Sequence, residues 1–349
     1  MSLTCYHKII ITGLTILLLC GCHRELNNPI SISGAAQGTS YHITYLAGEH
    51  SNYRESFDSI FRQIDQSLST YDTSSLISRI NRNDTIIKVD PYFLDVFKKS
   101  IEVSEKTKGL FDITVAPVIN AYGFGFKKKE RVTSGLIDSL LRFVGYKKVR
   151  LENNKVVKDM PQVMLDFNAI AQGYTVDVLA SFLESKGIKN YMVEVGGELK
   201  AKGTKLNDSS WTVGIQMPSE SDAEAESLFT RVRINNKALA TSGNYKRFYV
   251  EDGKKYSHII NPFTGYPAKN SLLSATVIAN DCMTADAYAT SFMVMGLERS
   301  KQFLSENKDL GLEVFFIYDE NGVWKKYGTH YFEENEEAGP KSWVAKSVQ

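Results

Sequence analysis

Over residues 34–318 the chain switches repeatedly between helix-period and strand-period hydrophobic patterning, with no repeat, low-complexity stretch or long linker. A chain patterned this way can bury both kinds of element only in a mixed layered fold, so the expected class is α+β, with two intertwined subdomains. Tyr41, Ile43 and Tyr45 alternate after a Gly/Thr turn and predict a strand within 34–46. Phe57, Ile60, Phe61, Ile64 and Leu68 recur at helical spacing, as do Phe93, Val96, Phe97 and Ile101 before a stop at Gly109. Residues 136–143 predict a shorter helix, 168–186 the clearest one, with Ile170, Tyr174, Val178 and Phe182 on one stripe, and 284–295 another. Strands are expected at 191–195, 211–215, 230–234, 247–250, 272–279 and 312–318.

Residues 1–21 hold His7 and Lys8, an apolar run at 9–20, then Gly21, Cys22 and a polar stretch, which reads as a secretory signal. The apolar run is about a dozen residues, short of the ~20 that a bilayer-spanning helix needs. Leu19, Cys20, Gly21 and Cys22 resemble a bacterial lipoprotein box, cut before a cysteine that then receives acyl chains. The expected division is a signal at 1–21, a lipidated tether at 22–33 starting with Cys22, a main domain at 34–335 and a tail at 336–349. A plain secretory signal cut elsewhere is the alternative. The mature protein is expected on the periplasmic side of a bacterial cell membrane, the inner one in preference to the outer. Cys5 and Cys20 leave with the signal and Cys22 is acylated, so Cys282 lacks a disulfide partner and is expected in the core.

With 41 Lys+Arg against 40 Asp+Glu, the chain lacks the basic field that nucleic-acid binding uses. The sequence has no Gly-x-Gly-x-x-Gly fingerprint, Walker loop, His-Glu-x-x-His pair, Gly-x-Ser-x-Gly elbow or Cys-x-x-Cys, which removes the common nucleotide and zinc templates. Six scattered histidines give no local transition-metal pattern.

Two acidic helix starts remain. In 165–174, Asp166 leaves an apolar strand end and meets a first turn, where unpaired N–H groups attract anions, while Asp166 or Asn168 would equally serve as an ordinary cap. In 284–290, Asp286 and Thr290 stand at i and i+4, so their oxygens share a face and suit one hard cation. A cap plus a core-facing threonine is the plainer account. A single carboxylate among small residues fits Mg²⁺ better than Ca²⁺, because Mg²⁺ keeps waters and leans on substrate phosphates. Permissive turns are expected at Gly196-Gly197, Thr241-Ser242-Gly243 and Asn261-Pro262 with Thr264-Gly265, letting main chain approach a ligand or simply turning tightly. His258 lies in an alternating stretch, 256–260, as a core or a catalytic histidine.

In order along the chain, 34–39, 69–71, 78–81, 109–115, 166–177, 193–197, 240–245, 257–262, 264–265 and 284–296 together resemble the ApbE family of periplasmic flavin transferases. That resemblance implies an ApbE-like fold with a flavin nucleotide cleft between its subdomains. It also implies an FAD:protein FMN transferase that uses Mg²⁺, moves FMN from FAD to a threonine or serine of an acceptor protein, and releases AMP. The implied acceptors are subunits of membrane redox complexes of the Nqr and Rnf types. Carried over residue by residue, the nucleotide is contacted by Gln37, Tyr71, Leu110, Phe111, Asp112, Asp166, Gln172 and Ile260. Mg²⁺ is held by Asp286, Thr290 and the main-chain carbonyl of Ala169, and His258 stands near the reacting phosphate.

Gln37 replaces a frequent Met of the family, Gln172 a frequent Lys or Glu, and Ala289 a second Asp of some members. In the mechanism these residues suggest, Asp286 and Thr290 seat Mg²⁺ on the FAD pyrophosphate while His258 takes or relays the acceptor proton. Tyr71 and Phe111 would flank the aromatic groups. An Mg²⁺-dependent FAD pyrophosphatase, with water as acceptor, and a lipid-anchored flavin-binding protein without turnover are the rival readings.

Overall fold

The computed structural model describes residues 28–48, 51–84, 86–125, 131–218, 228–244, 248–251 and 254–337. The expected signal at 1–21, the expected lipidation site Cys22 and residues 338–349 of the expected tail lie outside them.

Eight antiparallel strands form the scaffold. They are β1 (Asn28–Ala36), β2 (Thr39–Ala47), β5 (Tyr191–Val195), β6 (Glu198–Lys202), β9 (Lys237–Gly243), β12 (Leu272–Ala279), β13 (Glu313–Glu320) and β14 (Val323–Gly328), in that spatial order. Successive side chains on a strand face opposite ways, so the sheet sorts its residues into two cores. Val314 and Phe316 of β13 join Ala240 and Val277 on one face, whereas Phe315 and Ile317 join Leu199, Leu239 and Ile278 on the other. The second face is covered by a small sheet of β7 (Trp211–Gln216), β8 (Leu228–Ile234) and β15 (Glu336–Glu337), through Trp211, Ile215, Val232 and Ile234.

The first face carries α1 (Arg54–Leu68), α6 (Ala171–Ser185) and α7 (Cys282–Met295). Between α1 and α6 the chain makes an excursion through α2 (Leu76–Asn81), α3 (Pro91–Lys106), α4 (Ala116–Ala121), α5 (Ser134–Leu141) and the hairpin of β3 (Val149–Glu152) and β4 (Lys155–Lys158). This excursion builds the second half of the molecule. Beyond α7 lie α8 (Leu297–Glu306) and α9 (His330–Asn335), and a hairpin of β10 (Phe248–Glu251) and β11 (Lys254–Ser257) stands apart from the large sheet.

Several expectations need correction. The tether does not extend to residue 33, because residues 28–33 pair with β2 as the start of β1. Glu336 and Glu337 of the expected tail pair with Val232 and Arg231 of β8 and so belong to the fold. Thr241, Ser242 and Gly243 are no turn: they end β9, register against β12, and pair there with Thr276, Ala275 and Ser274. The strand expected through His258 stops at Ser257. Ile260 makes only an isolated bridge to Pro267. Helix α6 begins at Ala171 rather than Asn168, since residues 168–170 form a turn closed by Ile170 N–H on Phe167 O at 3.0 Å.

Candidate active site

Helices α6 and α7 cross without room for a side chain at the crossing. A Cβ on Gly173 would lie 2.4 Å from Cys282 O and 2.8 Å from Asp286 Cβ. The first turn of a helix leaves N–H groups without intrahelical partners, and here each helix supplies a carboxylate to the other. Asp286 Oδ2 of α7 accepts from Gly173 N–H of α6 at 3.0 Å. Asp177 Oδ2 of α6 accepts from Met283 N–H of α7 at 2.9 Å. The local cap of α7 is Asp281, whose side chain takes Thr284 N–H at 2.8 Å, so Asp286 does not cap its own helix. Asp286 therefore does act as a cap, but across the helix interface and with one oxygen only.

The two carboxylates sit in different surroundings. Asp177 pairs with Lys200 Nζ of β6 at 3.0 Å. Asp286 has no cationic partner among the described residues, and burial pushes its pKa up to about 7 despite the Gly173 hydrogen bond pulling the other way. It borders a cleft between the helical excursion and the end of the large sheet. One turn on, Thr290 borders the same cleft, its hydroxyl 3.0 Å from Ser242 Oγ of β9. The small residues Ala238, Ala240 and Ser242 of β9 bring α7 close enough for that contact.

The opposite wall begins where α3 ends. Lys108 and Gly109 turn with φ of 54° and 84°, and Thr107 Oγ1 accepts Phe111 N–H at 3.1 Å, which delivers Leu110, Phe111 and Asp112 to the cleft. Both oxygens of Asp112 are engaged within the chain, by Thr114 N–H and Oγ1 at 2.7 and 2.6 Å and by Tyr146 N–H at 2.8 Å. Burial raises its pKa against those donors. Asp112 is thus a loop organiser as well as a wall residue.

Asn81 clasps the backbone of Leu165 with its amide, at 2.9 and 2.7 Å, and sets the segment that follows. Asp166 then closes an Asx turn, accepting Asn168 N–H at 2.7 Å and Nδ2 at 3.1 Å, rather than capping a helix. Burial raises its pKa too. The turn places Ala169 and then Gln172 on the cleft. A Cβ on Gly196, at φ 66°, would meet Gln172 Nε2 at 2.6 Å, so a side chain there would displace the Gln172 amide and strain the backbone.

Tyr71, Ile260 and His258 complete the expected residues on the cleft, with His258 edge-on to Phe124 at 6.3 Å between ring centres. Gln37 is not among the lining residues: it turns the β1–β2 hairpin at φ 53°, and its side chain bonds Asp65. Cys282 is fully buried against Leu239 O, and burial pushes its thiol well up. Sequence reasoning missed Glu198, a buried carboxylate on the cleft at the start of β6, and the apolar wall of Val115, Ile119, Phe124 and Val294. The signal available for Glu198 was an acid directly after the Gly196-Gly197 turn, leading into a strand with buried Leu199 and Ala201.

The family model described as "ApbE family" matches residues 37–316. An FAD:protein FMN transferase of Vibrio cholerae serotype O1 is 33% identical over 326 residues, covering 91% of this chain and 96% of the relative. One from Haemophilus influenzae is 34% identical over 315 residues, covering 86% and 89%. Among solved structures, the flavin transferase ApbE from Vibrio cholerae superposes with a TM-score of 0.78 at 33% identity, covering 88% of this chain and 99% of that one. The apo flavinyl transferase ApbE of Pseudomonas stutzeri gives 0.78 at 28% identity, covering 90% and 98%.

Proposed function

This chain belongs to the ApbE family, and from that premise we propose that it is an FAD:protein FMN transferase. The acceptor hydroxyl oxygen forms a bond to the FMN-side phosphorus, the anhydride bond to AMP breaks, and the hydroxyl proton is lost. The observation that carries the reading is the single cleft onto which Asp286, Thr290, Ala169, Asp166, Gln172 and His258 converge.

The donor set fits Mg²⁺. One oxygen of Asp286 is committed to Gly173 N–H and the other is left to the cleft, while the Thr290 hydroxyl and the Ala169 carbonyl add hard, neutral oxygens. No group of three or more His, Cys, Asp or Glu side chains among the described residues could hold a metal, so a cation here would rely on water and substrate phosphate. When bound, Mg²⁺ supplies positive charge that offsets the charge gathering on the phosphates. The chain's own residues do the rest. The 110–112 turn, Tyr71 and Ile260 border the nucleotide space, with Tyr71 and Phe111 offering flat faces to its rings. Gln172, at the start of α6, offers amide donors beside a helix N-terminus, a setting suited to anions. His258, on the cleft, holds or relays the acceptor proton, since an imidazole offers one nitrogen to accept a proton and another to donate one.

Acceptors are redox-complex subunits of the Nqr and Rnf types, and Cys22 carries the lipid that holds the enzyme at the periplasmic face of the inner membrane. Mass spectrometry of the mature N-terminus tests the anchor: an acylated Cys22 is expected, and an unmodified terminus elsewhere refutes it. For the activity, an Nqr-type acceptor subunit is incubated with FAD, Mg²⁺ and enzyme. Covalent FMN on one threonine or serine with equimolar AMP is expected. Free FMN with AMP and no labelled protein would mean hydrolysis instead, and bound FAD without AMP would mean no turnover.

A further inference from the structure

The turn after His258 carries two aromatic rings into solvent: Phe263 is 60% exposed and Tyr266 43%. Exposed aromatic rings are ordinary on mobile loops, but this turn is tightly tied. Asn261 Oδ1 accepts from Phe263 N–H at 2.9 Å and Thr264 N–H at 3.3 Å. Asn261 O accepts Gly265 N–H at 2.8 Å, Asn261 N–H donates to Tyr266 O at 2.9 Å, and Ala268 N–H donates to Ile259 O at 2.8 Å. Gly265, at φ 70°, sits so close to α5 that a Cβ would lie 2.5 Å from Ile137 Cγ2. Neither ring has a ring–ring or cation contact among the described residues.

The position of the turn identifies what covers it. Ile260 and Pro262, at its base, are cleft walls. The tip of Phe263 reaches toward Gly109, where a Cβ would meet it at 3.3 Å, and Gly109 precedes the Leu110–Asp112 segment of the opposite wall. Phe263 therefore stands at the mouth, with Tyr266 exposed three residues on in the same turn, and a body resting on the turn is beside the wall that leads to His258. Rigid, preorganised aromatic side chains lose little entropy when covered and are frequent anchors of protein interfaces.

Resting on the transferase reading, we propose that Phe263 and Tyr266 form the docking surface for the acceptor polypeptide, gripping the segment beside the flavinylated hydroxyl. Water as acceptor would need no such surface, and neither ring lines the cleft proposed for FAD.

The test measures binding as well as turnover, using the soluble domain of an Nqr-type subunit as probe. Its Kd for the FAD-loaded enzyme is compared between the parent and F263A/Y266A by calorimetry, alongside FAD affinity and sedimentation. The proposal expects the probe's Kd and KM to rise at least tenfold, with FAD affinity and kcat at saturating acceptor within twofold, and F263Y to keep parental values. A probe Kd within twofold of the parent overturns it. So does a parallel loss of FAD affinity, which would place the turn in the flavin site, or a change of self-association, which would make a second copy the occupant. If the parent binds the probe through these rings but transfers no FMN, the transferase reading fails while the docking surface stands; if it does not bind the probe, the docking surface fails.

Discussion

The N-termini of α6 and α7 present the same problem and receive the same solution, a carboxylate from the neighbouring helix, yet only one of the two carboxylates faces the cleft. Asp177 is answered by Lys200 and turned inward, so its charge is spent on structure. Asp286 performs the same capping with one oxygen but has no cation beside it among the described residues, and it faces the cleft. A desolvated carboxylate without a counter-charge is costly, and a cation relieves that cost. On the proposed function, the absence of a cation beside Asp286 among the described residues is what distinguishes a metal-binding carboxylate from a brace.

The contrast breaks most visibly at Asp286. D286A should lower Mg²⁺-dependent AMP release by roughly a hundredfold or more, the scale for removing one electrostatic stabiliser of charged phosphates. Full turnover would remove Asp286 from the chemistry. D177A should instead act on stability. Stripping one partner from a buried pair costs about 3–5 kcal/mol, and roughly the lower end applies because Lys200 and Asp177 retain 21% and 15% side-chain exposure. Urea unfolding should show that loss, and K200M should share it; a D177A enzyme of parental stability would refute the brace.

A pH series sharpens the comparison further. The folded-state pKa of Asp286, about 7, lies above its unfolded value, so the metal-free folded state binds the extra proton between about pH 4 and 7. Its contribution to metal-free stability falls as pH rises through that window and is level above it. Mg²⁺ competes with the same proton, so the Mg²⁺ concentration for half-maximal rate should rise about tenfold per pH unit below 7 and flatten above it. A flat profile from pH 5 to 8 would contradict the assignment. The smallest effect expected is at Gly196. G196A forces a methyl toward Gln172 Nε2 at an unfavourable φ and should weaken FAD binding several-fold while leaving the Mg²⁺ requirement unchanged. Equal FAD affinity would mean that Gln172 can move without consequence.

Much of this was legible from periodicity. Strands β5 and β12 lie at their expected residues, α1 and α3 contain their expected stripes, and α7 spans the expected 284–295, because long patterned elements override local detail. The i, i+4 relation of Asp286 and Thr290 was visible because it lies within one helix. What crosses between elements was not: Gly173 N–H meeting Asp286, Ser242 meeting Thr290 and Asn81 clasping Leu165 join residues far apart in the chain, and no local spacing encodes them. Thr241-Ser242-Gly243 has residues that favour turns, yet pairing with β12 along 238–243, on a strand that β6 already holds at 237–239, recruits it into the sheet. Glu198 carries only a weak local signal, because an acid opening a strand is ordinarily solvent-facing and only the cleft around it makes it buried.

The central claim is that Asp286 and Thr290 seat a divalent cation on the FAD diphosphate. Crystals soaked with FAD and Mn²⁺ in place of Mg²⁺ test it directly through anomalous scattering. The account predicts one peak within coordination distance of an Asp286 carboxylate oxygen, the Thr290 hydroxyl and a diphosphate oxygen. A peak elsewhere on bound FAD, or none at full FAD occupancy, would contradict it.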